Sequence, residues 1–232
     1  MTNPIGDIEE ANVILITGSN TTENHPVLSS YVKRAVTQKG AKLIVADPRR
    51  IPIVDFADVW LRQTLGTDVA WINGMMHVII KNGWQAKDYI QERTEGYSEL
   101  ESAVGQYTPE RVKAVTGVDP AQIEKMAELY AANHPATLLY AMGITQHSTG
   151  VDNVKSCCNL ALLCGNVGVR SGGVNPLRGQ NNVQGACDMG GLPNVFPGYQ
   201  PVNDAEANAK FSKAWNRKLS ERVGYTITEM VP

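Results

Sequence analysis

A polar turn, Thr17-Gly18-Ser19-Asn20-Thr21-Thr22-Glu23-Asn24-His25-Pro26, lies between an apolar run and the start of a helix. In open α/β sheets this place binds ligands, because strand ends and helix N-termini converge there. Exposed N–H groups and the helix dipole favour a phosphate, and Ser19 and Asn20 add side-chain hydrogen-bonding groups. Only one glycine is present, so the turn does not carry the dinucleotide fingerprint and an ordinary nicotinamide site is disfavoured. On the residues alone, a nucleotide site and a plain structural turn fit equally well.

Other polar residues stand at comparable places. Asp47 ends a second apolar run, where a carboxylate can accept hydrogen bonds from a ribose or a guanine edge; alone, Asp47-Pro48 also reads as a strand stop. Gly66-Thr67-Asp68 opens a helix, with Asp68 either its cap or a further nucleotide contact. Gly143, Gln146 and His147 follow a later strand, and His77 falls inside a helix where packing is the simpler reading. From Val174 to Gly190 a single arginine, Arg178, is set among glycines and amides. That environment suits bidentate capture of a planar anion, though an arginine capping loop carbonyls is the alternative.

The elements that must position these groups follow from periodicity. Val13-Ile14-Leu15-Ile16 and Leu43-Ile44-Val45-Ala46 are continuous apolar runs of the kind found in parallel strands covered on both faces. A helix between them starts near Pro26 and stops at Gly40, which completes a β-α-β unit. Val59 to Leu61 is short enough for one more strand. Val69, Ile72, Met76, Ile79 and Ile80 mark one face of a helix. Thr108-Pro109-Glu110 and Asp119-Pro120-Ala121-Gln122 each place a cap before a proline at the first helical position. Thr137 to Met142 reads as a strand ending at Gly143. Val151 to Cys164 reads as an apolar helix stopped by Gly165, and a short helix is expected around Phe211 to Trp215. Between Gly165 and Gln200 only Arg170, Arg178 and Asp188 are charged, and large apolar groups are scarce. The expectation for this stretch is backbone laid against something outside the chain.

The fold class is therefore α/β: a Rossmann-like parallel sheet flanked by helices over residues 1–178, with the Gly/Asn-rich segment 179–232 belonging to an adjacent domain. A chain of 232 residues, 43% hydrophobic and 19% charged, is ordinary for a globular protein. Its net charge of −2 argues against a nucleic-acid surface. No apolar run approaches the roughly 20 residues of a membrane span, and the N-terminus shows no signal peptide, so a cytoplasmic location is expected. Cys157, Cys158, Cys164 and Cys187 form no Cys-x-x-Cys pair, which leaves them as buried reduced thiols and supplies neither a zinc ribbon nor an iron–sulfur motif.

Taken together, Thr17 to Pro26, Val45 to Arg50, Gly143 to His147 and Asn175 to Gly190 resemble the catalytic α subunit of formate dehydrogenases, in the dimethyl-sulfoxide-reductase superfamily of molybdopterin oxidoreductases. The resemblance runs through Phe196 to Tyr199 and the tail Thr226 to Glu229, and the Arg178-centred motif is its most specific part. It implies a bis(molybdopterin guanine dinucleotide) cofactor carrying molybdenum or tungsten. Gly18, Ser19, Asn20 and Glu23 would touch one guanosine diphosphate arm. Asp47, Arg49, Gly66, Thr67 and Asp68 would contact its nucleoside end, with Met142 and Gln146 nearer the pterin. Arg178 would orient formate and Gln180 would lie beside it. Two electrons from formate would leave through iron–sulfur clusters as CO2 departs. The implied partners are the remaining domains of the same subunit and electron-transfer iron–sulfur or diaphorase subunits.

Other functional classes stay open: a stand-alone cofactor-binding module, a structural remnant, or another molybdopterin oxidoreductase such as a nitrate reductase. The family's 4Fe-4S cysteines, its Cys or selenocysteine metal ligand and its C-terminal domain have no counterpart among these residues. The 232-residue chain alone is therefore expected not to oxidise formate. A dye-reduction assay that detected turnover by it would contradict this reading.

Overall fold

In the computed structural model, residues 1–226, 229 and 230 are described; Ile227 and Thr228, inside the tail motif, lie outside the described residues. The chain divides into two compact units, Met1–Leu177 and Arg178–Pro232.

The first unit begins with a 3-10 turn at Ile5–Glu10, followed by β1 (Val13–Thr17), α1 (Thr21–Asn24), α2 (Pro26–Lys39) and β2 (Lys42–Ala46). A second 3-10 turn at Pro52–Phe56 leads to β3 (Val59–Leu61), and then the helices α3 (Asp68–Lys81), α4 (Lys87–Arg93), α5 (Tyr97–Gly105), α6 (Pro109–Thr116) and α7 (Pro120–Ala132) follow. The chain returns to the sheet as β4 (Ala136–Tyr140), makes one turn of α8 (Met142–Thr145), runs along α9 (Gly150–Leu163) and closes with β5 (Val174–Pro176). The five strands are parallel, in the order β3-β2-β1-β4-β5.

This is the doubly wound arrangement that the β-α-β pattern predicts, and side-chain alternation shows why its strands read as unbroken apolar runs. Val13 and Leu15 of β1 face one core with Ile44, Trp71, Met75 and Leu138. Ile14 and Ile16 face the other, with Leu28, Val32, Leu43 and Val45. With helices on both faces, every position of β1 is buried. Each large aliphatic side chain removed from water in this way contributes roughly 1.5–3 kcal/mol. The two layers are unequal: α3, α7 and α9 cover one face, whereas α2 and the two 3-10 turns cover the other.

Local signals act where expected. Thr108 Oγ1 accepts from the Arg111 N–H at the start of α6, and Asp119 Oδ1 accepts from the Ala121 N–H at the start of α7. α2 ends at Gly40 in the left-handed conformation.

Three expectations change. The strand placed at Thr137 to Met142 stops at Tyr140, and Met142 instead opens α8. The helix around Phe211 starts earlier, because Asp204 caps it by accepting from the Ala207 N–H at 2.7 Å. The third change concerns the stretch after Gly165, whose first part packs within the unit. Asn166 Oδ1 accepts from the Ala136 N–H at 2.8 Å. Asn175 Nδ2 donates to Thr137 Oγ1 at 2.8 Å, while its Oδ1 accepts from the Asn3 N–H at 3.2 Å. Both asparagines are essentially fully buried. Amide hydrogen bonds to distant backbone and side-chain groups hold this segment in place of apolar bulk.

The second unit contains α10 (Val183–Asp188), a two-stranded antiparallel ribbon of β6 (Val195–Phe196) and β7 (Gln200–Pro201), and α11 (Ala205–Ala214). Its small core centres on Phe196, Ala207 and Phe211, with the two phenylalanine rings 4.8 Å apart. Among the described residues no helix is long and apolar enough to cross a membrane. All four cysteines are free. Burial pushes the Cys157 thiol far up and the Cys164 thiol up to about 12, which keeps both protonated and inert. Cys158 and Cys187 are only partly buried.

Candidate functional site

In a sheet ordered β3-β2-β1-β4-β5, the strand order reverses between β1 and β4, so the connections from these two strands leave in opposite directions and open a crevice at their carboxyl ends. Two glycines close the floor of that crevice. Gly18 follows β1 with φ +58°, Gly143 lies in α8 just after β4, and the Gly143 N–H donates to the Gly18 carbonyl at 3.0 Å. A Cβ built on Gly143 would fall 2.6 Å from Gly18 Cα, and one built on Gly18 would fall 2.6 Å from the Gly143 carbonyl carbon. The two loops therefore meet backbone to backbone, and no side chain fits between them.

Around this floor stand buried polar groups without partners. The side-chain oxygens of Thr17, Ser19, Asn20 and Thr21 are all buried and make no hydrogen bond among the described residues. An unsatisfied buried polar atom costs about 1–3 kcal/mol, so four in five consecutive positions demand an explanation. They sit just ahead of α2, a 14-residue helix opened by Pro26. Glu23 is exposed on α1.

The neighbouring strand ends add carboxylates. Asp47, directly after β2, is 8% exposed; its Oδ1 accepts from the Arg49 N–H at 2.8 Å and its carbonyl accepts from Trp60 Nε1 at 2.9 Å. Burial raises its carboxyl above the usual range, with the nearby Asp68 charge adding to the rise and Arg49 opposing it. Arg49 itself is exposed. Asp68, at the first turn of α3, is 4% exposed, and its Oδ1 accepts from Gln63 Nε2 and Trp71 Nε1, both at 3.2 Å. Gln63 Oε1 is buried without a partner. Gly66 turns the loop, and Thr67 Oγ1 donates to the Thr64 carbonyl at 2.7 Å, which directs that hydroxyl into the loop. Met142 and Gln146 are exposed beside Gly143, and His147 Nε2 pairs with the Gly143 carbonyl at 2.9 Å. His77 pairs with the Val104 carbonyl at 3.2 Å in the helical layer, a packing role.

The fold thus collects Gly18, Ser19, Asn20, Glu23, Asp47, Arg49, Gly66, Thr67, Asp68, Met142 and Gln146 along one edge of the sheet, the carboxyl edge. Thr17 and Thr21 of the first turn belong to the same edge, as do Gln63 and Trp71, which carried no sequence motif. The usable signal for Gln63 was its place two residues beyond β3, the position that Ser19 holds after β1. Arg178 and Gln180 stand in the second unit, in the exposed loop ahead of α10. In that unit Tyr199 donates to Asp188 Oδ1 at 3.0 Å, and this bond raises the tyrosine hydroxyl while the charge of Arg178 works against the rise.

A parallel sheet with a glycine-floored crevice at its switch point defines a doubly wound α/β protein, the class of fold in which ligands sit at that crevice. The chain belongs to the molybdopterin oxidoreductase family, whose model matches residues 1–226. It is 50% identical over its full length to the F420-dependent formate dehydrogenase 1 subunit alpha of Methanococcus maripaludis, covering 34% of that protein. It is 43% identical over 231 residues to formate dehydrogenase H of Escherichia coli, covering 32% of that one. Among solved structures, the acetylene hydratase of Pelobacter acetylenicus matches 69% of this chain and 24% of its own, with a TM-score of 0.64 and 28% identity. The chain thus spans about a third of the length of these two curated relatives.

Gly143→Ala should drive the two loops apart and cost about 1–3 kcal/mol, the range for overpacking. Gly6→Ala, where a Cβ would meet nothing within 4 Å, should be near neutral. Urea midpoints of the two variants compare them, and equal midpoints would remove the packing argument. For Asp47, a raised folded pKa means that the folded state holds the proton more tightly than the unfolded one. Stability from this group is complete below its ordinary value of 3.8 and declines as the pH rises through the raised value. Asp47→Asn can still accept from the Arg49 N–H, so it should flatten that decline above pH 4. An unchanged stability–pH slope would count against the assignment.

Proposed function

We propose that the first unit holds one guanine-nucleotide arm of a bis(molybdopterin guanine dinucleotide), and that the chain is part of the catalytic subunit of a formate dehydrogenase. The observation that carries the nucleotide assignment is the run of unpaired buried oxygens at Thr17, Ser19, Asn20 and Thr21 beside the glycine floor. The hydroxyls can donate to diphosphate oxygens, and the start of α2 favours negative charge. The nucleoside end falls to Asp47 and Asp68. Asp68 has one oxygen held by Gln63 and Trp71, which leaves the other to accept from a guanine edge or a ribose hydroxyl. Met142 and Gln146, exposed beside the floor, are the groups for the pterin side. Molybdenum or tungsten held by the pterins supplies the two-electron redox chemistry.

The substrate assignment rests on the similarity to formate dehydrogenases and on the lone Arg178 among amides and glycines. Formate has three heavy atoms. At about 1.5 kcal/mol per atom its affinity stops near the millimolar range, so orientation matters more than grip. A guanidinium holding both carboxylate oxygens fixes the direction of the C–H bond, which an ammonium cannot do with one point charge. Gln180, two residues on, is the neighbour assigned to help it. The rest of the subunit, with its iron–sulfur cluster, and the electron-transfer or diaphorase subunits complete the reaction in this reading. The cytoplasm is its setting.

Two measurements separate these assignments. Titration calorimetry should show GDP binding the chain more tightly than ADP, with Ser19→Ala/Asn20→Ala weakening GDP about tenfold, since each hydrogen bond is worth about 0.5–1.5 kcal/mol. No preference for GDP would end the guanine assignment. In the full-length protein, Arg178→Ala should lower kcat/KM for formate on the order of 100-fold, the scale of a misplaced substrate, with Arg178→Lys recovering little. A change within about twofold would exclude the orienting role.

A further inference from the structure

Asp68 can offer the crevice only one of its two oxygens, and two neighbours are the reason. Trp71, one turn along α3, is fully buried, and its Nε1 donates to Asp68 Oδ1 at 3.2 Å. Gln63 Nε2 donates to the same oxygen at 3.2 Å. A carboxylate oxygen has two in-plane lone pairs, so both acceptor sites of Oδ1 are filled. Asp68 Oδ2, by contrast, pairs with no described residue and is open to solvent. The hydroxyls nearby are spent within the loop, Thr64 Oγ1 on the Thr116 carbonyl and Thr67 Oγ1 on the Thr64 carbonyl. The other charged groups here are Asp47, with Oδ1 on the Arg49 N–H, and the exposed Arg49 itself. Gln63 is kept at a cost. A carboxylate cannot donate, so the amide must face Asp68 with its nitrogen, and its Oε1 is left buried without a partner. An apolar side chain of similar volume would avoid that cost, and Trp71 alone already gives Oδ1 a partner. The second donor therefore adds orientation: it fills the oxygen and stops the carboxylate from turning.

We propose that Gln63 is a specificity-determining residue: with Trp71 it limits Asp68 to one acceptor oxygen, directed at the 2-amino group of a guanine base. This rests on the guanine-nucleotide reading of the site given above. A carboxylate with both oxygens free can accept from the N1–H and the 2-amino group side by side, whereas one open oxygen in a fixed place selects one donor. The 2-amino group is the donor that hypoxanthine and xanthine lack; the N1–H is common to all three and selects none of them. A site shaped to accept a single donor rejects the analogue without it, because the acceptor is then left unpaired. A ribose hydroxyl both donates and accepts and has no use for a fixed oxygen. The same clamp sets polarity. In Asp68→Asn the amide oxygen takes the clamped position, since Trp71 can only donate, and the amide nitrogen stands where Oδ2 stood. The open position then turns from acceptor to donor and matches the 2-oxo group of xanthine.

The test is calorimetric titration of the 232-residue chain with guanosine, inosine and xanthosine diphosphates. The unsubstituted chain should bind the guanosine compound about fivefold more tightly than the inosine compound, the scale of one hydrogen bond. Gln63→Leu should shrink that ratio about threefold, while its urea midpoint reports a preserved fold. Asp68→Asn should bind the xanthosine compound more tightly than the guanosine one. A Gln63 that served the fold alone would weaken all three diphosphates by the same factor on replacement. That result, or an Asp68→Asn chain that still preferred the guanosine compound, would overturn the proposal and leave the guanine assignment standing. An unsubstituted chain with no preference for GDP over ADP would overturn the guanine assignment itself, and this proposal with it.

Discussion

The backbone contact between Gly18 and Gly143 is the constraint on which the rest of the first unit turns. β1 and β4 are adjacent and in register from Val13 opposite Ala136 to Thr17 opposite Tyr140, so their loops are delivered to the same point. Any Cβ there would be within 3 Å of the opposing backbone. With both side chains reduced to hydrogen, the loops close on each other, and the polar residues after Gly18 are pressed into the crevice instead of turning out to water. The cost is visible in the unpaired oxygens from Thr17 to Thr21. A fold keeps such groups only where the rest of the structure over-determines them, and here the two buried cores on either side of β1 do so.

Much of this arrangement was legible in the residue order, and for identifiable reasons. β1 and β2 show as uninterrupted apolar runs because both of their faces are buried. α6 and α7 show because Thr108 and Asp119 each precede a proline and act as true caps. β5 did not show. Its three residues, Val174-Asn175-Pro176, include an amide whose burial depends on Thr137 Oγ1 and the Asn3 N–H, both distant in sequence. The end of β4 was misplaced for a related reason: Ala141 has extended backbone while Met142 starts a helical turn, and both are compatible with an apolar strand pattern.

The site divides along the same line. The turn after β1 was legible because polar residues and a glycine break an apolar run abruptly. Gly143 was legible only as the end of a strand, since its role is a contact across some 125 residues. Gln63 and Trp71 serve the edge by holding Asp68, a task set by packing alone. Arg178 stood out by composition, but the chemistry assigned to it came from resemblance; its loop belongs to the second unit.

The N-terminal residues of the first unit are stitched to its last strand: the Thr2 N–H donates to the Val174 carbonyl at 3.2 Å, and Thr2 Oγ1 accepts from the Val174 N–H at 2.9 Å. Thr2 and the last strand of the unit Met1–Leu177 thus lie side by side. A module with that property behaves as a bud on a host chain. Inserting it closes a loop that is already closed, so the insertion carries little entropic penalty. The same adjacency makes it a natural subject for circular permutation, with the old ends joined by a short linker and new ones cut in the α4–α5 junction.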